Sequence, residues 1–238
     1  MRQEETRTVL NLALPEPAEA AEGRPPLDPA SLGRLFLEPR THTHWLDADV
    51  PDDLLEEAWA LARLAPTSAN CSPMRLVLLR TPEDKACLLP ALSASNRRKS
   101  LTAPVVAIIA YDREFWRLLP RLYPHVDAAS WFRDDPAGAR ETGLRNGTLQ
   151  AAWYMLALRA LGLDLGPLSG LDTAEVDRIF FAGTALETNF VLNVGYGDAR
   201  HLRPRSPRLE FDEILHPVPA DHAPWAVRPA TSALGRTS

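Results

Sequence analysis

Four polar segments hold most of the side chains in this sequence that can do chemistry. The first is Arg40-Thr41-His42-Thr43-His44. An arginine presents a planar fork that suits a phosphate, and Thr41 adds a hydroxyl. The second runs from Pro66 to Pro73 and offers Thr67, Ser68 and Asn70, with backbone N–H groups, to a polar ring edge. The third is Asn96-Arg97-Arg98-Lys99, an amide followed by three cations. The fourth is Arg203-Pro204-Arg205-Ser206-Pro207-Arg208. Taken singly, each has an ordinary explanation: a surface loop, a helix-to-strand connection, a solvated basic face and a proline-kinked basic turn. A further stretch, Gly166-Pro167-Leu168-Ser169-Gly170, reads as a tight turn whose glycines let the backbone approach a flat ligand.

Other chemistries find less support. His42 and His44 share one side of an extended segment, but spacing offers no third metal ligand. Cys71 lies in one of the polar loops; a nucleophilic thiol there needs a base such as His42 or His44, and a packed, inert cysteine is the simpler reading. Neither a GxGxxG fingerprint in strand–turn–helix context nor a GxxxxGK[ST] loop nor a GxSxG elbow is present.

These segments must be positioned by regular elements. Leu54, Ala58, Leu61 and Ala65 recur at helical spacing after Pro51-Asp52, and Pro66 ends that helix. A strand is expected over Arg75–Arg80 and a helix over about Pro82–Leu92. The polar stretch 93–100 then leads to a Val/Ile-rich strand at Pro104–Asp112. Residues 113–136 read as a helical excursion followed by loop. A long helix over Glu141–Leu161 is apolar on most faces in its middle and belongs at the centre of the core, with Gly162 and Gly166 marking its end. Asp172 or Thr173 caps a short helix ending near Phe181, and a third strand spans Asn189–Gly195. Two connections are too long for simple βαβ units, which points to α+β or mixed α/β rather than a doubly wound sheet.

The chain has 238 residues, 45% hydrophobic and 24% charged, with a formal net charge of −5. That suits one core of ordinary size and gives no overall field for nucleic acid or an acidic membrane surface. Two cysteines cannot build a disulfide framework, in keeping with a reducing cytoplasm. The glutamate-bearing N-terminus does not read as a signal peptide, and the longest apolar run, 151–158, is too short to cross a bilayer. Residues 1–30 are expected to form a flexible arm, 31–215 the domain, and 216–238 a proline-rich extension in which Trp225 packs on something.

In this order the segments resemble the nitroreductase family of FMN enzymes, from about Ser31 to Ile214. The stretches that carry the likeness are RTHTHW, APTSANCSP, TAPVVAIIAYD, LPRLYPHVDAASWF, LGLDLGPLSGLD, FFAG and NVGYGD. Within the family they are most similar to the malonic semialdehyde reductase subgroup of bacterial pyrimidine utilisation. The resemblance implies an α+β fold, a mixed sheet flanked by helices in an interlocked homodimer, and FMN as cofactor with NADH or NADPH as hydride donor. It implies that Arg40 and Thr41 hold the phosphate and ribityl chain. Pro66, Thr67, Ser68 and Asn70 match a loop that in relatives reaches the flavin from the partner subunit. Asn96 and Lys99 match residues on the pyrimidine side of the isoalloxazine. Pro167, Leu168, Ser169 and Gly170 match the turn near N5, and Arg205, with Arg203, matches late basic residues that grip the phosphate. Three departures surround this site: Thr43 where the family often has Arg or Lys, Ser72-Pro73-Met74 for Gln-Pro-Trp, and Ser169 for Glu.

On such a site the flavin carries the hydride and no side-chain nucleophile is needed. Lys99 stabilises the charge that develops near N1 on reduction. The acid that protonates an aldehyde oxygen is open among water, His42 and His44. Nitroaromatics or quinones are alternative acceptors. A flavin-binding protein without catalysis is the competing class; a metal-dependent hydrolase and a nucleic-acid binder are weaker.

Overall fold

Leu54, Leu55, Ala58 and Ala62 form one buried stripe along α1 (Asp52–Ala62), whose first turn carries Asp52 and Asp53 at the positive end of its dipole. These residues belong to the computed structural model of the chain, which describes residues 25–216. Of the expected arm over 1–30, residues 1–24 lie outside the described residues and Asp28 already caps a short helix, Pro29–Leu32; of the extension over 216–238, all but residue 216, Trp225 included, lies outside them. The elements that follow are β1 (Met74–Leu79), α2 (Pro82–Leu88), α3 (Ala94–Thr102), β2 (Val105–Asp112), α4 (Pro136–Ala160), β3 (Asp164–Leu168), α5 (Thr173–Phe180) and β4 (Leu186–Gly195).

The strands form one sheet in the order β1-β2-β4-β3, with every strand pair antiparallel. Its parallel component is an isolated bridge between Thr41 and Leu165. From Val105 to Tyr111, β2 is buried at every position because helices cover both faces of the sheet. On one face Ala107, Ile109, Leu165, Leu192 and Val194 pack against α1 and against Tyr154 and Leu158 of α4. On the other, Val106, Ile108 and Val191 pack against Leu88 of α2, Leu92, and Val176 of α5. This is the α+β class expected from the sequence, with α4 at the centre of the first core. The expected excursion after β2 is a run of short helical turns, Phe115–Leu118, Leu119–Leu122 and Ser130–Arg133, around Phe115 and Leu119.

Two segments differ from the sequence reading. The polar stretch 93–100 lies almost wholly in helix α3. Its buried positions, Asn96 and Ser100, are polar, so no apolar periodicity reveals it. Residues 166–168, expected as the start of the tight turn Gly166–Gly170, belong to strand β3 instead, and Gly166 pairs with Asn193 rather than ending the helix. Proline and glycine are poor strand residues, but β3 is an edge strand, where the missing N–H of Pro167 is tolerated. The end of α4 falls to Gly162, at φ +91°.

The chain divides into two units after Leu202. In the second, the described residues carry the short helix Phe211–Ile214, whose capping box joins Glu210 and Glu213.

Candidate functional site

Helix α3 presents Asn96 and Lys99 three residues apart, a spacing that brings both onto one side. Lys99 Nζ donates to Asn96 Oδ1 at 3.1 Å, and Asn96 Nδ2 donates to the Gly170 carbonyl at 3.1 Å. The Ser93 N–H donates to that same carbonyl at 3.0 Å. A β-carbon on residue 170 would stand 2.7 Å from Asn96 Nδ2, so this chain of contacts needs glycine there. The ammonium is thereby tied, through one buried amide, to the backbone just past β3.

The segment 41–46 is stitched along β3 and the end of β4. The His42 N–H donates to the Leu165 carbonyl at 2.9 Å, the Leu46 N–H to Tyr196 at 2.8 Å, and the Asp198 N–H to the His44 carbonyl at 2.9 Å. Trp45 joins this segment to α3 by donating from Nε1 to the Lys99 carbonyl at 3.1 Å. Its ring lies over two glycines: β-carbons on residues 166 and 195 would stand 3.2 and 3.1 Å from it.

Between these parts is a cavity of about 220 Å³, lined by Thr41, His42, Thr43, Asn96, Lys99, Gly166, Pro167, Leu168, Ser169 and Asn193. Thr41, Asn96, Lys99, Pro167 and Ser169 are thus brought together from three sequence-distant segments, and Gly170 adjoins through Asn96. Leu168 and Ser169 also wall a more apolar depression of about 340 Å³ with Met155, Asn189 and Phe190.

The remaining expected residues lie elsewhere. Arg40 is half-buried next to Thr41 and outside the cavity wall. Pro66, Thr67, Ser68 and Asn70 are not in the wall either. Their loop is held against α4 and the excursion: the Ser68 N–H donates to Asn146 Oδ1 at 2.8 Å and Asn70 Nδ2 donates to the Leu122 carbonyl at 2.9 Å. Ala69, Asn70 and Ser72 all have positive φ, at 49°, 51° and 41°, a conformation that non-glycine residues adopt only when their surroundings enforce it. Arg203 and Arg205 are exposed in the second unit.

The two histidines do not converge. His42 is buried, with Nε2 3.4 Å from Asp164 Oδ1, whereas His44 stacks on His201 at 4.1 Å between ring centroids. Among the described residues no group of three metal-ligating side chains occurs. Cys71 is wholly buried among Phe115, Leu119 and Ala139, and burial pushes its thiol up to about 11, so it is a packed thiol rather than a nucleophile.

Sequence reading missed Asn193 and Trp45. Asn193 is 1% exposed in the apolar run Val191–Gly195, and neither its Nδ2 nor its Oδ1 has a partner. His42 Nδ1 is buried and unpartnered as well, but it faces Gly197, where an added β-carbon would stand 2.0 Å from it. A lone amide inside an apolar strand was the available signal for Asn193. Nothing local singles out Trp45, whose role depends on glycines more than a hundred residues away.

Solved structures share this architecture. A protein of Bacillus subtilis assigned as a nitroreductase superposes with a TM-score of 0.69 at 22% identity, over 79% of this chain and 98% of its own. A protein of Exiguobacterium sibiricum assigned as a nitroreductase and solved in complex with FMN gives 0.69 at 19%, over 77% and 95%. A protein of Staphylococcus epidermidis assigned as an NAD(P)H:FMN oxidoreductase gives 0.69 at 18%, over 78% and 94%. At these identities the likeness establishes a nitroreductase-like fold. The nitroreductase family model matches residues 40–196, the span from Arg40 to the end of the sheet, and the chain belongs to that family of oxidoreductases.

Proposed function

We propose that this chain is a cytoplasmic, homodimeric, FMN-dependent NAD(P)H oxidoreductase whose preferred acceptor is malonic semialdehyde, reduced to 3-hydroxypropionate. The observation that carries the reading is the cavity beside β3. Its lining holds a cation, Lys99, fixed by an amide, the hydroxyl-bearing Thr41, and Asn193, whose buried amide atoms have no partner. Buried polar groups need partners, so this donor set fits a ligand edge dense in N–H and C=O groups, such as the pyrimidine side of an isoalloxazine. The structural neighbour solved with FMN and the one assigned as an NAD(P)H:FMN oxidoreductase support the same cofactor and donor.

When bound, FMN supplies the hydride chemistry, taking a hydride from NAD(P)H and passing it to the acceptor. Lys99, held in advance by Asn96 and Trp45, would stabilise negative charge on a reduced ring without reorganisation cost. The end of β3 and the residues just past it, Pro167-Leu168-Ser169-Gly170, would support the ring. Thr41 would bind the ribityl chain, and Arg40 the phosphate by charge-assisted hydrogen bonds. Pro66, Thr67, Ser68 and Asn70 serve the flavin of the partner subunit, in keeping with their absence from the wall of their own chain's cavity. Leu149 and Trp153, one turn apart on α4 and 47% and 45% exposed, are apolar surface for that second copy to cover.

The test is an anaerobic one. The purified protein shows a flavin spectrum, NADPH or NADH bleaches it, and malonic semialdehyde restores it in stopped flow faster than background, while sedimentation gives twice the chain mass. A colourless protein, or a yellow one that neither nucleotide bleaches, overturns the enzymatic reading. Recovery with nitroaromatics or quinones but not with the aldehyde replaces the acceptor alone.

A further inference from the structure

We propose that Asn193 is a positioning residue for the bound flavin, its side-chain amide giving one hydrogen bond to and accepting one from polar atoms of the cofactor. The inference rests on the FMN reading above and adds a residue to it. Asn193 sits in β4 with Gly166 of β3 on one side and Val106 of β2 on the other. Along its own strand, the neighbours on the same face are Val191 and Gly195. None of these four has a polar side chain, so the sheet itself offers the amide nothing. Yet the amide is fully desolvated, with both Nδ2 and Oδ1 unpartnered, in a residue 1% exposed. A buried donor and acceptor left unpaired are costly, and a strand position here would accept an apolar residue as readily as its neighbours do. The remaining direction is the cavity, whose wall Asn193 forms together with Lys99, Asn96 and Thr41.

The arrangement around it favours the same role. Gly166, beside Asn193 in the sheet, lacks the side chain that would otherwise stand between the amide and the segment 41–43; an added β-carbon would sit 3.5 Å from the Asn193 β-carbon and collide with the His42 carbonyl. The sheet beside the amide is thus covered by the His42 carbonyl and the Trp45 ring, and the amide is left to the cavity whose lining includes it. Asn193 contributes no proton or electron to the reaction; it fixes the ring that does the chemistry and biases its electronic state through one donor and one acceptor.

The experiment compares the full-length protein with Asn193→Leu, which keeps side-chain size and removes both polar atoms. Flavin-free protein is titrated with FMN by fluorescence quenching, and both forms are melted with and without FMN. Wild type is expected to bind. Asn193→Leu is expected to bind at least tenfold more weakly, with a shifted flavin absorption band, while its flavin-free form melts no lower than wild type because two unpaired polar atoms are gone. If the leucine variant fails to fold, Asn193→Ala carries the same comparison. Wild type that takes up no FMN sinks the cofactor reading itself. FMN binding within twofold of wild type, with melting lowered equally in free and loaded forms, shows a purely structural amide and overturns the inference.

Discussion

The carbonyl oxygen of His42 lies 2.5 Å from the position a β-carbon on residue 166 would take. Real β-carbons do not approach backbone oxygens that closely, so the strand must carry glycine where segment 41–46 crosses it. Gly166→Ala forces that segment or β3 to move, and its wall of the cavity with them. Overpacking of this kind costs about 1–3 kcal/mol. Thermal melts should show a fall of about 2–4 °C per kcal/mol for a domain of this size, along with weakened FMN uptake. A variant that melts and binds like wild type would show that the crossing is loose.

Lys99 is held by Asn96 and its carbonyl by Trp45, so its charge is fixed in place before any ligand arrives. Lys99→Met removes the charge and keeps the stem. The reduced flavin loses its partner more than the oxidised one does, so the midpoint potential should fall. One factor of ten in that equilibrium corresponds to about 30 mV for a two-electron couple. Redox titration against reference dyes checks it; an unchanged potential would place the ammonium away from the ring's charged edge.

Away from the cavity, Glu187 ties the sheet to α4. It accepts hydrogen bonds from the Tyr111 hydroxyl and from Arg140 Nε at 2.6 Å, and Arg113 Nε lies 3.2 Å away. Burial alone would raise its carboxyl, but the hydrogen bonds from Tyr111 and Arg140 outweigh that and hold it below its ordinary value of 4.5. A carboxyl depressed by folding contributes stability that is present above pH 4.5 and is lost as pH falls below it. Glu187→Gln should therefore lower stability at neutral pH by about 1–3 kcal/mol and flatten the acid limb of the melting-temperature profile. An acid limb of unchanged slope would remove Glu187 from the set of groups that hold the fold at neutral pH.

Most of the elements were legible because their apolar patterns are local. The Leu54-to-Ala62 stripe, the run Val105–Tyr111 and the middle of α4 each bury against something whatever their neighbours are, and each appears within a few residues of its expected bounds. Helix α3 and strand β3 were not legible, and both build the cavity. An inward face of Asn96 and Ser100 has no apolar period to read. Gly166 and Pro167 argue against a strand until the edge position and the crossing segment are known. Local patterning reports what a segment does for the core; these two segments give it up for the site.

Residue types and order were enough to determine the class of fold and the family, because hydrophobic periodicity and family motifs are properties of the chain itself. Which of those residues share a cavity was decided only by tertiary structure. Thr41, Asn96, Ser169 and Asn193 are dozens of positions apart, and they meet because sheet register sets Gly166 beside Asn193 and a tryptophan ring clamps α3 over the gap. An unpaired amide has no meaning in a linear sequence; it gains one only when folding takes away every other partner.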